Sequence, residues 1–248
     1  MSFQCQSLFS NRLKPREFHA IRRRSAYDWG MSLAEKNNAG GRDAHAVEIV
    51  AAITGASGAM YAQRFIQGLV TAGVHVHLVV SPLGRRLLHD ELGMETIDLP
   101  ALAGTIDHTI TLYNYNDVGA KIASGSFLHD GMVIVPCSSN TLAEVAHGLG
   151  DNLISRAAAV ALKERRRLVL AHREMPLSPM DVNNYKVLSD AGVILAPATP
   201  GFYLNPTTVG EVVDFVAGKL LDLVGVPHAM DTRWDPKVSR PPMKREIV

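Results

Sequence analysis

Residues 133–178 read VIVPCSSNTLAEVAHGLGDNLISRAAAVALKERRRLVLAHREMPLS, and their order decides the fold. An apolar run, Val133 to Val135, passes into the hydroxyl-rich turn Pro136-Cys137-Ser138-Ser139-Asn140-Thr141 and then into a helix expected to begin near Leu142. A second helix is expected over Leu153 to Glu164, and the apolar RRLVLAH then leads to Arg173-Glu174. Strands that alternate with helices imply a parallel sheet covered on both faces. Polar residues then collect at the carboxyl ends of the strands, where open α/β sheets bind their ligands.

Working outward, VEIVAAIT (47–54) reads as a buried strand and Gly55-Ala56-Ser57-Gly58 as a turn. Ala59 to Thr71 has helical apolar spacing closed by Ala72-Gly73, and VHVHLVV (74–80) completes a right-handed βαβ unit. GMVIVP, RRLVLAH and GVILAPA supply further strands, and a last helix over Thr207 to Val224 is opened by Asn205-Pro206-Thr207 and closed by Gly225 and Pro227. The fold class expected is α/β, a doubly wound, mainly parallel sheet of Rossmann-like or flavodoxin-like kind.

The 248 residues form one domain with appendages, the domain spanning 46–228. Residues 1–45 lack any period of 2 or 3.6 and carry 8 of the 25 Lys/Arg; they read as a disordered extension, or as sequence upstream of a start at Met31. Their Arg and Ser content also suits a mitochondrial transit peptide, although Glu17 and Asp28 do not. Residues 229–248 read as a C-terminal tail. Beyond residue 46 the balance is mildly acidic, 17 Lys/Arg against 20 Asp/Glu, which argues against nucleic acid. The two cysteines, Cys5 and Cys137, exclude a disulfide framework and suit a reducing cytoplasm, and no apolar run reaches the roughly 18–20 residues of a membrane helix.

The TGASGA turn lacks the G-x-G-x-x-G spacing, and the second strand ends at Ser81 where a nicotinamide enzyme shows Asp or Glu. A hydroxyl there suits a phosphate, so FMN is favoured over NAD. Backbone N–H groups at the PCSSNT turn make a second anion or polar-ring site, with simple N-capping by Ser139 or Asn140 as the bland alternative. Arg156 and Lys163, seven apart, share one helix face and with Arg173 are positioned to stabilise a departing phosphate. Arg165, Arg166 and Arg167 read as solvated cations at a helix end. Glu174 is the candidate general acid or base, with an ion pair to Arg173 as its alternative. Cys137 reads as a packing residue. An enzyme acting on phosphorylated small molecules follows from the set.

Several separated stretches, ITGASGAMYAQR, IASGSF, VPCSSNTL, DNLISRAA, ALKERR, REMPLS and PGFYLNP, resemble in order those of the UbiX/Pad1 family of flavin prenyltransferases, in the superfamily of homo-oligomeric flavin-containing cysteine decarboxylases. The resemblance runs from about Val47 to Trp234. It implies a flavoprotein domain that binds reduced FMN and joins a dimethylallyl group from dimethylallyl phosphate to flavin N5 and C6, without a metal. The prenylated FMN would serve a UbiD-type decarboxylase. It also implies a homo-oligomer, a dodecamer with FMN at subunit junctions, and no membrane or nucleic-acid partner.

By the same resemblance Gly55, Ala56, Ser57, Ser81, Ser138, Ser139, Asn140, Thr141 and Arg173 fall to FMN. Tyr203, Lys219, Ser124 and Gly125 fall to the prenyl substrate, and Glu174, Glu91, Lys163 and Arg156 to catalysis. Lys219 stands where the family has Arg, keeping charge but losing the bidentate fork. Val118 and Lys121 also depart from the family pattern. The alternative is a flavin-dependent cysteine-type decarboxylase of the same superfamily, but its PASANT and Pro-Ala-Met-Asn stretches are replaced here by PCSSNT and PATPGFY. The His75/His77 pair, alternating on a strand, reads as a packed or solvent face.

Overall fold

The structure, a computed structural model, describes residues 46–233; the expectations for residues 1–45 and for the chain beyond 233 lie outside the described residues. Six strands, β1 (Glu48–Ile53), β2 (His75–Val80), β3 (Ile110–Tyr113), β4 (Gly131–Cys137), β5 (Leu168–His172) and β6 (Ile194–Leu195), form one sheet in the order β3-β2-β1-β4-β5-β6. Every pairing is parallel. The winding reverses between β1 and β4, which opens a crevice at their carboxyl ends. Around the sheet run α1 (Ala59–Thr71), α2 (Pro82–Leu92), α3 (Leu99–Ala103), α4 (Ser139–Ala146), α5 (Leu153–Lys163), α6 (Pro179–Asp190) and α7 (Val209–Val224), with a 3-10 turn at Lys121–Ala123.

β1 feeds both layers of the core. Ile49, Ala51 and Ile53 pack with Phe65 and Ile66 of α1 and Leu220 and Leu221 of α7, whereas Val50 and Ala52 pack with Leu142 of α4 and Ala157 and Ala158 of α5. Successive side chains point to opposite faces, so a strand covered on both sides must be apolar throughout. Each fully buried chain of the Phe65 or Ile66 kind contributes about 1.5–3 kcal/mol.

α1 has the limits its spacing predicts. α4 begins earlier than expected, at Ser139, because the Ser138 hydroxyl accepts the Thr141 N–H and takes the cap position. α7 begins at Val209 because Thr208 is the cap, in a capping box with Glu211. GVILAPA yields only the two-residue edge strand β6; Pro197, which has no N–H to donate, follows it closely. β3 escaped the sequence reading, since ITLY is a short edge strand that is nowhere fully buried. The packed chain also continues past 228: Thr232 is buried against Gly218, and His228 and Arg233 both reach Asp222. Residues 229–233 are therefore part of the domain, and the expected tail boundary moves. Among the described residues no helix is long and apolar enough to cross a membrane.

Candidate active site

Thr54 closes the crevice where the winding reverses. Its hydroxyl donates to the Pro136 carbonyl at 2.9 Å and accepts the Ser138 N–H at 2.9 Å, tying the loop after β1 to the loop after β4. Beyond it Gly55 and Ser57 are exposed while Ala56 is buried. Ser81, at the end of β2, caps α2 by accepting the Gly84 N–H at 3.0 Å. The packing here is close: a Cβ on Gly84 would lie 2.5 Å from the Ile53 carbonyl oxygen, and one on Gly55 would lie 2.5 Å from Leu83 Cβ. These glycines let the start of α2 approach the end of β1 and bring Ser81 beside Gly55.

On the other side of the crevice Ser138, Ser139, Asn140 and Thr141 open α4. Ser138 meets the Thr141 hydroxyl at 3.2 Å, and Asn140 donates to Glu144 at 2.6 Å. Ser139 joins a network that sequence reasoning missed. Its hydroxyl lies 3.0 Å from His172 Nε2, and His172 Nδ1 lies 2.8 Å from the Tyr185 hydroxyl. Burial lowers the His172 pKa, with Asp181 and Glu174 opposing the shift. Burial also pushes Tyr185 up to about 12. The Asp181 carboxyl is held below its ordinary range first by the Ser178 hydroxyl, with the Ser139 hydroxyl adding to that. The one sequence signal for this network was a histidine ending a strand immediately before Arg173.

Arg173 is half-buried at the end of β5, and its Nε is buried with no partner among the described residues. Glu174 is exposed and accepts the Met175 N–H at 3.2 Å; no Arg173–Glu174 ion pair exists among the described residues. Glu91 reaches from α2 to accept the N–H groups of Gly58, at 3.0 Å, and Ala59, at 2.8 Å. Gly58 offers no side-chain cap, so this carboxylate serves as the cap of α1. Tyr61 lies near both Arg173 and Glu91, with its pKa raised chiefly by burial. Cys137 is fully buried and its thiol pKa is pushed far up by desolvation, which suits packing and not nucleophilic attack.

The expected cation cluster is not assembled within one subunit. α5 runs antiparallel to β5, so Lys163, five residues before Leu168, lies at the amino end of the sheet. Arg173 lies at the carboxyl end, and β5 with its rise of about 3.3 Å per residue separates them by about 15 Å. Lys163 is exposed and pairs with Glu164 at 3.3 Å. Ser124 and Gly125 share that end, since Arg166 donates to the carbonyls of Gly125 at 2.6 Å and Phe127 at 2.5 Å. Arg166 is thus a loop anchor, a correction to its reading as a solvated cation, and Arg167 is partly buried with a lowered pKa. Arg156, exposed and two turns before Lys163, is about 10 Å nearer the carboxyl end. Tyr203 stacks edge-on against Phe215 of α7 at 5.6 Å, and exposed Lys219 is about 15 Å along that helix from its start.

A mononucleotide fits the crevice on two observations: the orphaned Arg173 nitrogen, and a rim of hydroxyls and small residues from three strand ends that leaves Gly55 and Ser57 open. The sequence profile of the Flavoprotein family matches residues 38–221. The flavin prenyltransferase UbiX of Thermoplasma acidophilum is 47% identical over 188 residues, covering 76% of this chain and all of that protein. Among solved structures, AnUbiX (PadA1) in complex with FMN and dimethylallyl pyrophosphate superposes with a TM-score of 0.72 at 38% identity, over 77% of this chain and 98% of that one. A dodecameric FMN-dependent UbiX-like decarboxylase from Escherichia coli O157:H7 superposes with a TM-score of 0.70 at 39% identity, over 76% of this chain and all of the other. With its fold, its FMN crevice and these relatives taken together, the chain belongs to the Flavoprotein family as one of the UbiX-type flavin prenyltransferases.

Proposed function

We propose that the protein joins the dimethylallyl group of dimethylallyl phosphate to N5 and C6 of reduced FMN, releasing inorganic phosphate, and that the product serves a UbiD-type decarboxylase. The observation that carries this reading is the buried Arg173 nitrogen without a partner among the described residues, next to the exposed carboxylate of Glu174, at the rim of a mononucleotide crevice. The solved complex of AnUbiX with FMN and dimethylallyl pyrophosphate supports it. Gly55, Ala56, Ser57, Ser81, Ser138, Ser139, Asn140, Thr141 and Arg173 hold the flavin. When bound, reduced FMN supplies the nucleophilic N5 and C6 and a π-rich face beside the developing allylic cation.

The allylic C–O bond breaks with its electron pair leaving on phosphate, so the transition state gains negative charge at that oxygen. Fixed cations stabilise such charge without a metal. Arg156, Lys163, Lys219 and the Tyr203 hydroxyl take that role, with Ser124 and Gly125 lining the prenyl group. Since Lys163, Ser124 and Gly125 lie at the far end of their own subunit, they reach a crevice from a neighbour in a homo-oligomer, a dodecamer as in the E. coli relative. Glu91 keeps the loop after β1 in shape through the α1 start. Closing the ring onto C6 would consume the prenyl double bond, whose inner carbon gains a proton while N5 and C6 each give one up, the other proton leaving with phosphate; Glu174 would take the proton from C6 and relay it.

Anaerobic incubation of the protein with reduced FMN and dimethylallyl phosphate tests the proposal. Mass analysis should find a flavin heavier by one C5 prenyl unit. No mass shift with either the phosphate or the pyrophosphate donor, in protein that holds FMN, overturns it.

A further inference from the structure

The pole of the sheet opposite the crevice carries a second polar cluster that prenyl transfer does not use. β1 and β2 pair with Glu48 opposite His75, and the period of two puts His77 on the same face as His75. One ligand atom from each of Glu48, His75 and His77 lies within 4.8 Å of the others. His77 Nε2 is 2.8 Å from Glu48 Oε2, and the two imidazoles stack at 4.5 Å. We infer that Glu48, His75 and His77 form a binding site for a divalent first-row transition ion, zinc foremost.

The hydrogen bonds around the two rings favour this assignment. His75 Nε2 meets the Thr111 hydroxyl at 2.9 Å, and His77 Nδ1 meets the Tyr113 hydroxyl at 3.0 Å. Each imidazole therefore has one nitrogen fixed by a hydroxyl of β3, while the other faces the cluster: Nδ1 of His75, and Nε2 of His77, whose partner there is the Glu48 carboxylate, itself a ligand of the proposed site. Metal-binding histidines have this arrangement, in which an outer partner fixes the ring and leaves the other nitrogen to the ion. Two imidazoles and one carboxylate with an open position suit zinc or ferrous iron, and hard oxygen-seeking ions much less.

Tetrahedral bonds of about 2.0–2.1 Å need ligand atoms about 3.4 Å apart. His77 is fully buried and fixed, whereas His75 and Glu48 are partly exposed, so those two shift to bring the three ligand atoms to that spacing and admit the ion from solvent. An ion there would join β1 to β2 by side chains at their first residues. With strands of six residues the site is about 15–20 Å from the crevice, so its occupancy is independent of transfer chemistry.

The test uses the untagged, FMN-loaded protein, stripped with a chelator and titrated with Co2+. One Co2+ per subunit with the visible bands of four-coordinate cobalt is expected, displaced by Zn2+ one for one. His75→Gln and Glu48→Gln should each weaken Co2+ binding by more than about tenfold, and Tyr113→Phe, which keeps every ligand, by about 10- to 100-fold. FMN content and prenyl transfer should stay at wild-type levels in all three, which also reports that they fold. Absence of stoichiometric Co2+ binding, or binding that survives both His75→Gln and Glu48→Gln unchanged, overturns the assignment.

Discussion

At the carboxyl end of β5, His172 determines where the Ser139 hydroxyl sends its proton. With its pKa near 12, Tyr185 keeps its proton and donates it to His172 Nδ1. The neutral imidazole then donates from Nε2 to Ser139, which in turn gives its own proton to Asp181. Ser139 is left with a lone pair and no free proton, so toward a flavin bound as proposed it would act as an acceptor. His172→Phe should weaken FMN binding by about two- to tenfold, the scale of one net hydrogen bond, as read by flavin fluorescence titration. Since the folded His172 pKa is depressed below 6.5, wild-type FMN affinity should fall as the pH drops through that lowered value, and the variant should not show this step. On the role proposed for Glu174, Glu174→Gln keeps the shape and would lose the proton transfer. It should retain FMN while single-turnover prenylation slows by about 10²- to 10⁴-fold. The sequence singles out Ser139, Arg173 and Glu174 because they stand within two residues of the carboxyl ends of β4 and β5, which apolar runs mark. His172 was not, because a strand-terminal histidine reads as packing until its two nitrogens are seen to face Ser139 and Tyr185.

Among the elements, the entry to β4 holds a group that weakens the fold in acid. His129 is buried, its Nδ1–H donates to the Gly131 carbonyl at 3.1 Å, and its Nε2 has no partner among the described residues. Burial, reinforced by Arg166, lowers its pKa to about 4. A depressed pKa means that the folded state binds fewer protons than the unfolded one. The stabilisation is complete above about 6.5 and is lost as the pH falls through about 4, at most about 3 kcal/mol for this residue. His129→Phe should flatten melting temperature against pH between those limits, by calorimetry on both proteins. Legibility at this scale followed local chemistry. α1 and α5 have regular apolar spacing and were read almost to the residue. The start of α4 was missed because four consecutive polar residues, Ser138 to Thr141, could each cap it, and only the Ser138 bond to Thr141 N–H selects one. β3 and β6 are short edge strands whose apolar content is too small to stand out from a loop.

Over the whole molecule, the antiparallel run of α5 against β5 sends Lys163 and Glu174 to opposite poles of one subunit. Sequence spacing put Lys163 and Arg173, the neighbour of Glu174, on adjoining elements and so suggested one cation cluster; helix direction, which spacing does not encode, separates them. If the working site draws Lys163 from a neighbour, Lys163→Ala and Glu174→Gln subunits should complement one another. Unfolding the two inactive proteins together and refolding them as a mixture should restore roughly a quarter of wild-type turnover, since each half of a shared site is intact in half of the subunits. Activity no higher than that of either parent would mean that each subunit works with its own residues only. The Thr54 clasp carries a different consequence, one of timing. Its bonds join residues 82 and 84 positions apart, and Arg173 lies further still along the chain. A growing chain emerges at about 5–20 residues per second, so the strand that begins the site waits several seconds for the segments that finish it. On that reading flavin capture is a late event in the life of the polypeptide, since a chain halted just before residue 173 has the first five strands but lacks the Arg173 proposed to hold the cofactor.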